Sequence, residues 1–365
     1  MTDPAPPTAP APAPGAHRRP GRGVFQSLLS VVVVLVVFVG ALPQITDFGD
    51  VWGQIRAMTP LEVETLLLAA SWNLLTYLFV IVPASPGLTF PQAFVMTQST
   101  TAASNTFPAG AAVGIGMTYA MYSSWGFSKA DSALAILVSG IWNNFVKLGL
   151  PVLALALLAL QGNTSPQRVT AGLVGIATLV AAVTLFALML RSDDTAHRVG
   201  SWMGRAASLG RALVRKPPVE RWGEAAVRFR ARTVTLLRRS WWRLTIGAVV
   251  SHVSLYVVLL LALRHVGVAE RTVSWVEVLA IFAFVRLLST LPITPGGVGV
   301  VELGLTAGLV AAGGDRAKVV AAVLVYRALT YVLPVPLGVV TYIVWRRKSS
   351  WRKPPAESPR AAVTS

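Results

Sequence analysis

Long, almost uncharged apolar segments recur along this chain and constrain its fold more than any other feature. Charged residues make up 13% of the sequence, whereas soluble domains carry about 25%. Because so apolar a chain would expose too much apolar surface to water, the sequence predicts an all-α polytopic membrane protein. Six segments reach the length needed to cross a bilayer, about 20 residues: 24–45, 61–83, 132–160, 167–190, 243–264 and 316–345.

Two further apolar regions, residues 88–124 and 275–313, are interrupted by proline and glycine. The interruptions lie at residues 107–110 and 292–297, so each region is predicted to form two short helices around a break. Broken backbone at membrane depth is tolerated only where protein or a wet cavity satisfies its polar groups. We therefore expect two hairpins, and the sequence leaves open whether each re-enters on one side or crosses twice.

The net charge of +17 is concentrated in the N-terminal tail, in residues 191–243 and in the C-terminal tail. In a soluble protein this charge would indicate a nucleic-acid partner. Here the two tails and the central segment fall on the same side of the predicted topology, so the basic residues follow the positive-inside rule. We therefore expect both termini and the central basic segment in the cytoplasm, against anionic lipid headgroups, and no nucleic-acid partner.

The same features divide the chain into regions. Tryptophans interleaved with arginines favour surface anchoring of the central segment over partner binding. The predicted regions are a disordered cytoplasmic tail (1–23), a first membrane repeat (24–160), a second membrane repeat (167–190 and 243–345), a basic cytoplasmic amphipathic segment (191–242) and a basic cytoplasmic tail (346–365).

The two broken hairpins resemble each other. An offset of 187 residues aligns Pro108 with Pro295 and Gly110 with Gly297, and the hydropathy follows the same offset. Because the predicted topology gives the two halves opposite directions, the sequence predicts an inverted repeat. Inverted repeats with paired discontinuous helices are typical of transporters with a site at the membrane midplane. An inverted-repeat scaffold that transports nothing is the alternative.

Several ionisable residues lie within apolar segments, where charge is costly and usually functional. Arg286 and Arg327 can hold a phosphate bidentately, and the glycine turns can direct helix N-terminal N–H groups at the same anion. The alternative is a structural network in which Glu302 neutralises one or both arginines. Lys147 either adds a cation or snorkels to the interface.

We predict a substrate-binding site around these charges and the two breaks. His252 and Asn73 are interpreted as interhelical hydrogen bonders. No cysteine, nucleotide-binding loop or H-E-x-x-H motif is present, so we predict no catalytic residue, metal site or cofactor. The predicted substrate-binding residues are Asn105, Pro108, Gly110, Lys147, Arg286, Pro295, Gly296, Gly297, Glu302, Tyr326 and Arg327.

Residues 291–302, with the sequence LPITPGGVGVVE, resemble the lysylphosphatidylglycerol synthase transmembrane-region family, also called flippase-like domain proteins. The resemblance extends to Gly338, and the number of segments fits over residues 24–345. It implies movement of a lipid with an anionic headgroup between leaflets. The turn at 107–110 is similar to the family's first conserved turn but lacks the charges that follow it in many members. The chain ends at Ser365, so we expect no soluble synthase domain and no lysyl transfer.

The sequence thus favours a translocase of a bacterial cytoplasmic membrane that moves an anionic-headgroup lipid or lipid-linked intermediate. A membrane-embedded lipid-modifying enzyme is one alternative, but Asp193–Asp194 is the only acidic pair in the chain and is interpreted as a loop. A scaffold that recruits cell-envelope pathway enzymes through residues 191–243 is the other.

Overall fold

The computed structural model describes residues 48–107, 110–162, 166–212, 221–290 and 297–351. The predicted first span, residues 24–45, lies outside them. The helices are α1 (Phe48–Arg56), α2 (Pro60–Thr76), α3 (Leu78–Ala84), α4 (Phe90–Thr106), α5 (Gly110–Ser124), α6 (Lys129–Leu160), α7 (Pro166–Arg191), α8 (Asp193–Ala212), α9 (Trp222–His265), α10 (Trp275–Leu288), α11 (Val300–Ala311), α12 (Arg316–Arg327) and α13 (Pro334–Arg347). A π-helical segment, Ala328–Val332, joins α12 to α13, and a short 3₁₀ turn, Ser349–Trp351, follows α13.

Five helical stretches within the described residues are long and apolar enough to cross a membrane. They are Pro60–Ala84, Lys129–Leu160, Val169–Arg191, Trp222–His265 and Arg316–Arg347. They coincide with five of the six predicted spans, and no described residue forms a strand. The all-α polytopic membrane fold is therefore confirmed.

Both broken regions form the predicted pair of short helices, α4–α5 and α10–α11, and the two arms of each pair pack together. The arms have 17, 15, 14 and 12 residues. At 1.5 Å per residue they measure about 18 to 26 Å, less than the roughly 30 Å of a hydrocarbon core. This geometry favours two re-entrant hairpins over four full crossings.

Paired glycines bring the arms of each hairpin close together. A Cβ at Gly110 would lie 1.9 Å from the carbonyl oxygen of Ser104 on the other arm. In the second hairpin, a Cβ at Gly308 would lie 2.6 Å from a side-chain methyl group of Ile281. Small residues at helix contacts are the usual means of close packing in membranes, where no hydrophobic force drives helices together.

The packing of the helices is reciprocal between the two halves. The first hairpin arm α4 packs against α13, and its counterpart α10 packs against α6. Helices α2 and α3 pack against α9, their own counterpart under the same offset. Asn73 donates to Ser254 Oγ at 2.7 Å across this contact, which confirms its predicted interhelical hydrogen bond. This exchange of partners is what a two-fold pseudo-symmetry produces, and the inverted repeat stays a prediction.

The basic segment forms a helical hairpin at one end of the bundle. Helix α8 packs against α9, which continues without interruption through the predicted boundary at 242–243. Arg230 donates to the carbonyl oxygens of Leu190 and Arg191 at 3.0 and 3.2 Å. These contacts fix the hairpin to the C-terminal end of α7, where a cation is favoured by the helix dipole. Its membrane-surface role stays a prediction.

Candidate functional site

The second hairpin turns through glycines before α11 begins. Gly297 and Gly299 have φ values of +69° and +87°, in the left-handed region that glycine tolerates best. The Gly299 N–H donates to Glu302 Oε2 at 2.7 Å. This carboxylate therefore satisfies an N–H at the start of α11 and places negative charge where the helix dipole favours it.

The second oxygen of the same carboxylate holds an arginine from α12. Arg327 Nε donates to Glu302 Oε1 at 2.6 Å, and the two side chains are 11% and 2% exposed. A buried ion pair is costly to desolvate and depends on hydrogen bonds to its remaining atoms. The structure thus shows one arm of the Arg–Glu–Arg alternative, with Glu302 paired to Arg327.

Beside this ion pair, the π-helical segment connects the second half to the first hairpin. The Arg327 guanidinium carbon lies 4.2 Å from the centroid of the Tyr331 ring, a cation–π contact. Tyr331 Oη donates to the carbonyl oxygen of Asn105 at 2.7 Å, and Asn105 Nδ2 donates to the carbonyl oxygen of Tyr331 at 3.3 Å. Asn105 near the end of α4 and Glu302 near the start of α11 are therefore both bonded to the last span at or next to its π-helical segment, and π-helical turns are frequent at functional sites.

Arg286, near the end of α10, differs from Arg327. Its buried Nε has no hydrogen-bond partner, and within the described part of the chain its guanidinium forms no ion pair. It nonetheless lies close to the buried Tyr326 and to the Arg327 guanidinium. Arg286 therefore lies in the same site as the ion pair but keeps its own charge uncompensated there.

Lys147 on α6 and His252 on α9 lie next to Arg286. The charge of Arg286 acts on Lys147, and the charges of both act on His252. His252 is 4% exposed, and its Nδ1 lies 3.0 Å from the carbonyl oxygen of Ala248 on its own helix. The predicted interhelical hydrogen bond of His252 is therefore wrong. Its Nε2 is buried and has no partner among the described residues.

The remaining predicted residues divide between the core, the hairpin arms and the part of the chain outside the described ranges. Tyr326 is 2% exposed and packs in the core beside both arginines. Gly110 starts α5 and contacts Ser104 of the opposite arm, so its observed role is packing. Three predicted positions lie outside the described residues: Pro108, Pro295 and Gly296.

Sequence reasoning missed Tyr331 as a site residue and misread His252. Tyr331 lies one helical turn after Arg327, and this spacing was a usable signal because residues four apart share a helix face. His252 gave no such signal, since its place beside Lys147 and Arg286 depends on how three helices pack.

The charges at this site favour an anion. Glu302 is the only buried carboxylate in the described ranges, and it pairs with Arg327. Lys147 and Arg286 have no counter-charge from the described residues. A cation in a low-dielectric interior is costly unless it is paired, so an anionic group that contacts both is strongly favoured. No cluster of metal-binding side chains occurs in the described chain.

A cavity of about 750 Å³ lies elsewhere, between α8 and the start of α9. Its lining includes His197, Arg205 and Trp222 and none of the predicted site residues. The cavity belongs to the basic hairpin at the end of the bundle, so the buried charges, and not the cavity, define the candidate site.

The fold and this buried charged site define a multi-pass helical membrane protein with broken helices at its centre. Comparison with models of known families matches residues 26–338 to one of them, described as Lysylphosphatidylglycerol synthase TM region. The match covers well over half of the 365 residues. The chain therefore belongs to this family, as its glycine-rich turn predicts. It matches no curated protein.

Proposed function

We propose that this protein moves a lipid with an anionic headgroup, or a lipid-linked intermediate, between the leaflets of a bacterial cytoplasmic membrane. The carrying observation is Arg286, whose buried Nε has no hydrogen-bond partner and whose guanidinium has no counter-charge among the described residues, close to the Glu302–Arg327 ion pair. The family supports a membrane protein with a lipid-related role. The proposal adds the transport step and the class of headgroup.

In the proposed mechanism, the headgroup enters between the hairpins while its acyl chains remain in lipid. Arg286 and Lys147 replace part of the water that the headgroup loses, which lowers the cost of taking the charge into the membrane. Arg327 stays partly neutralised by Glu302 and binds the headgroup more weakly, which favours release. The contact between Asn105 and Tyr331 opens and closes as the two halves move against each other.

An enzyme is less well supported than a translocase. Asp193 and Asp194, the acidic pair interpreted from the sequence as a loop, instead begin helix α8, where they form ion pairs with Arg230 and Arg198. Carboxylates held in this way stabilise the helical hairpin and are poorly placed to act as a general acid and base. The scaffold alternative remains the second candidate, since the basic hairpin of α8 and α9 offers a large surface.

The orientation is also part of the proposal, with α8 in the cytoplasm and α1 on the opposite side. The chain has no cysteine, so single cysteines can report topology without background. Ala206→Cys on α8 and Ala57→Cys after α1 are both at exposed positions. In intact cells an impermeant thiol reagent should label the second and spare the first. The reverse pattern would invert the proposed topology.

Reconstitution in liposomes tests the function. An acyl-chain-labelled anionic lipid is followed by its accessibility to an impermeant reductant, with protein-free vesicles as the baseline. We expect protein-dependent transfer that Arg286→Gln abolishes. Arg271→Gln, which removes the same charge at an exposed position before α10, is the matched control and should transfer normally. Lack of transfer by the folded wild type across phospholipid, polyprenyl-phosphate and glycolipid probes would favour the scaffold.

A further inference from the structure

The three polar groups around Arg286 come from three different helices that contact one another. Lys147 lies on α6, His252 on α9 and Arg286 on α10, and each pair of these helices is in contact. The three side chains are close enough that Arg286 acts electrostatically on Lys147, and both cations act on His252. Two belong to the second half of the chain and Lys147 to the first, so a ligand held here touches both halves.

The site carries more than one positive charge. The site contains Lys147, Arg286 and Arg327 against one buried carboxylate, Glu302, which is bonded to Arg327. Two positive charges therefore remain without a counter-charge from the described residues. The acids that start α2, α6 and α10 lie at helix ends, where Glu62 and Glu277 cap their own helices and Asp131 pairs with Arg232.

His252 adds a third group to the two cations. A carbonyl oxygen only accepts hydrogen bonds, so His252 Nδ1 must donate to Ala248. Its Nε2 is then an acceptor in the neutral ring and a donor in the charged ring. This atom is buried, has no partner among the described residues, and lies on a side chain that is 4% exposed. An unsatisfied buried polar atom costs stability unless something binds it.

From these observations we infer that the site selects a lipid whose headgroup ends in a phosphate monoester, in preference to a phosphodiester. This inference rests on the proposed function and narrows its substrate class. A terminal phosphate carries about −1.5 to −2 charges at pH 7, which matches the two uncompensated cations, whereas a diester carries one. It also presents three free oxygens to Arg286, Lys147 and His252. The third oxygen fits either form of the histidine, because it is free to carry a proton or to lack one.

Phosphatidic acid and phosphatidylglycerol with identical labelled acyl chains provide the comparison. Both are offered at pH 7 to the reconstituted protein, and the initial rates of leaflet transfer give a monoester-to-diester ratio. A charge-assisted hydrogen bond is strong enough to change such a ratio by about tenfold. We expect the wild type to favour phosphatidic acid by about that factor.

Substitutions test whether this site causes the preference for the monoester. Lys147→Met should bring the ratio close to one, and Lys147→Arg, which keeps the charge, should preserve it. Lys129→Met is the matched control, since it removes the same charge from the exposed start of α6, and should leave the ratio unchanged. His252→Phe should lower the ratio while both lipids still move. Monodisperse elution of each variant in detergent shows that the protein is folded.

The outcomes separate the two proposals. Equal rates for both lipids in the wild type, or a ratio that Lys147→Met leaves intact, would overturn the selectivity while leaving translocation in place. Transfer of neither lipid by folded protein would overturn both. Radiolabelled inorganic phosphate is offered to the same vesicles, and its uptake without lipid transfer would replace the lipid by free phosphate as the ligand.

Discussion

The two hairpins share their construction and differ in their chemistry. The first arms α4 and α10 both begin with a capping box, in which Thr89 pairs with Gln92 and Ser274 with Glu277. Both hairpins also bring their arms together at closely packed glycines. Helix capping and glycine packing thus shape both hairpins in the same way. They do not determine which polar or charged side chains lie near each tip.

The difference lies in the charged positions. The offset of 187 residues places Ser99, Ile115 and Gly140 of the first half opposite Arg286, Glu302 and Arg327 of the second. Ser99 lies 2.9 Å from Thr341 Oγ1, a neutral hydrogen bond between α4 and α13. The first hairpin is therefore neutral at the positions where the second hairpin and the last span carry the charged site.

Loss of the buried carboxylate should have the largest effect on stability. Glu302→Gln keeps an acceptor for the Gly299 N–H but leaves Arg327 buried with a charge that Glu302 no longer balances. Breaking a buried pair in this way costs about 3–5 kcal/mol. This loss is measured as the change in the free energy of unfolding in bicelles. The control, Ile115→Ala at the equivalent, half-exposed position of the first hairpin, should lose far less stability. Similar losses for both substitutions would remove the distinction between the hairpins.

The effects of substituting Glu302 and Arg327 on stability should also be coupled. Replacing Arg327 by methionine in the Glu302→Gln protein should recover much of the lost free energy, because no buried charge then depends on Glu302 for balance. Additive losses in this double-mutant cycle would mean that the ion pair contributes little.

Glycine substitutions should destabilise the first hairpin more than the second, the opposite order to the substitutions of Glu302 and Ile115. Gly110→Ala forces a methyl group against the Ser104 carbonyl, which is backbone and cannot rotate away. Gly304→Ala meets a Val285 methyl group at 2.9 Å, which can shift. We expect Gly110→Ala at the upper end of the roughly 1–3 kcal/mol of overpacking and Gly304→Ala at the lower end.

Gly116→Ala is the control for these two substitutions. It lies on α5 with no atom within 4 Å of the added Cβ, so alanine should be neutral or slightly stabilising there. Thermal unfolding in detergent ranks the three variants. A larger loss for Gly304→Ala than for Gly110→Ala would contradict these contact distances.

The link between the hairpins should have the smallest effect on stability. Tyr331→Phe removes one hydrogen bond to the Asn105 carbonyl and keeps the aromatic face beneath Arg327. Such bonds contribute about 1 kcal/mol or less in membranes. If this link opens during transport, Tyr331→Phe should change the transfer rate more than its small stability effect suggests. An unchanged rate would make the link purely structural.

Much of the fold was predictable because it depends on local signals. Hydropathy located five described spans, and proline and glycine located both breaks, since lipid penalises charge and broken backbone wherever they occur. The glycine-rich turn before Glu302 identified the family. These signals are read along the chain without knowledge of packing.

The arrangement of the site was less predictable, because it depends on how helices face one another. The sequence left open whether Glu302 balances Arg286, Arg327 or both, and the structure shows the pair with Arg327. The π-helical turn that carries Tyr331 and the position of His252 beside two cations both arise from helix packing. Spacing along one helix does not encode the rotation of its neighbour.

If the proposed function is correct, the charged site of the second hairpin, and not its neutral counterpart in the first, contacts the transported headgroup. Leaflet transfer of phosphatidic acid should be measured for Arg286→Gln and for Ser99→Ala, its equivalent under the 187-residue offset. We expect a loss of about tenfold or more for Arg286→Gln, and a rate close to wild type for Ser99→Ala. Equal rates for the two variants, with both proteins folded, would contradict it.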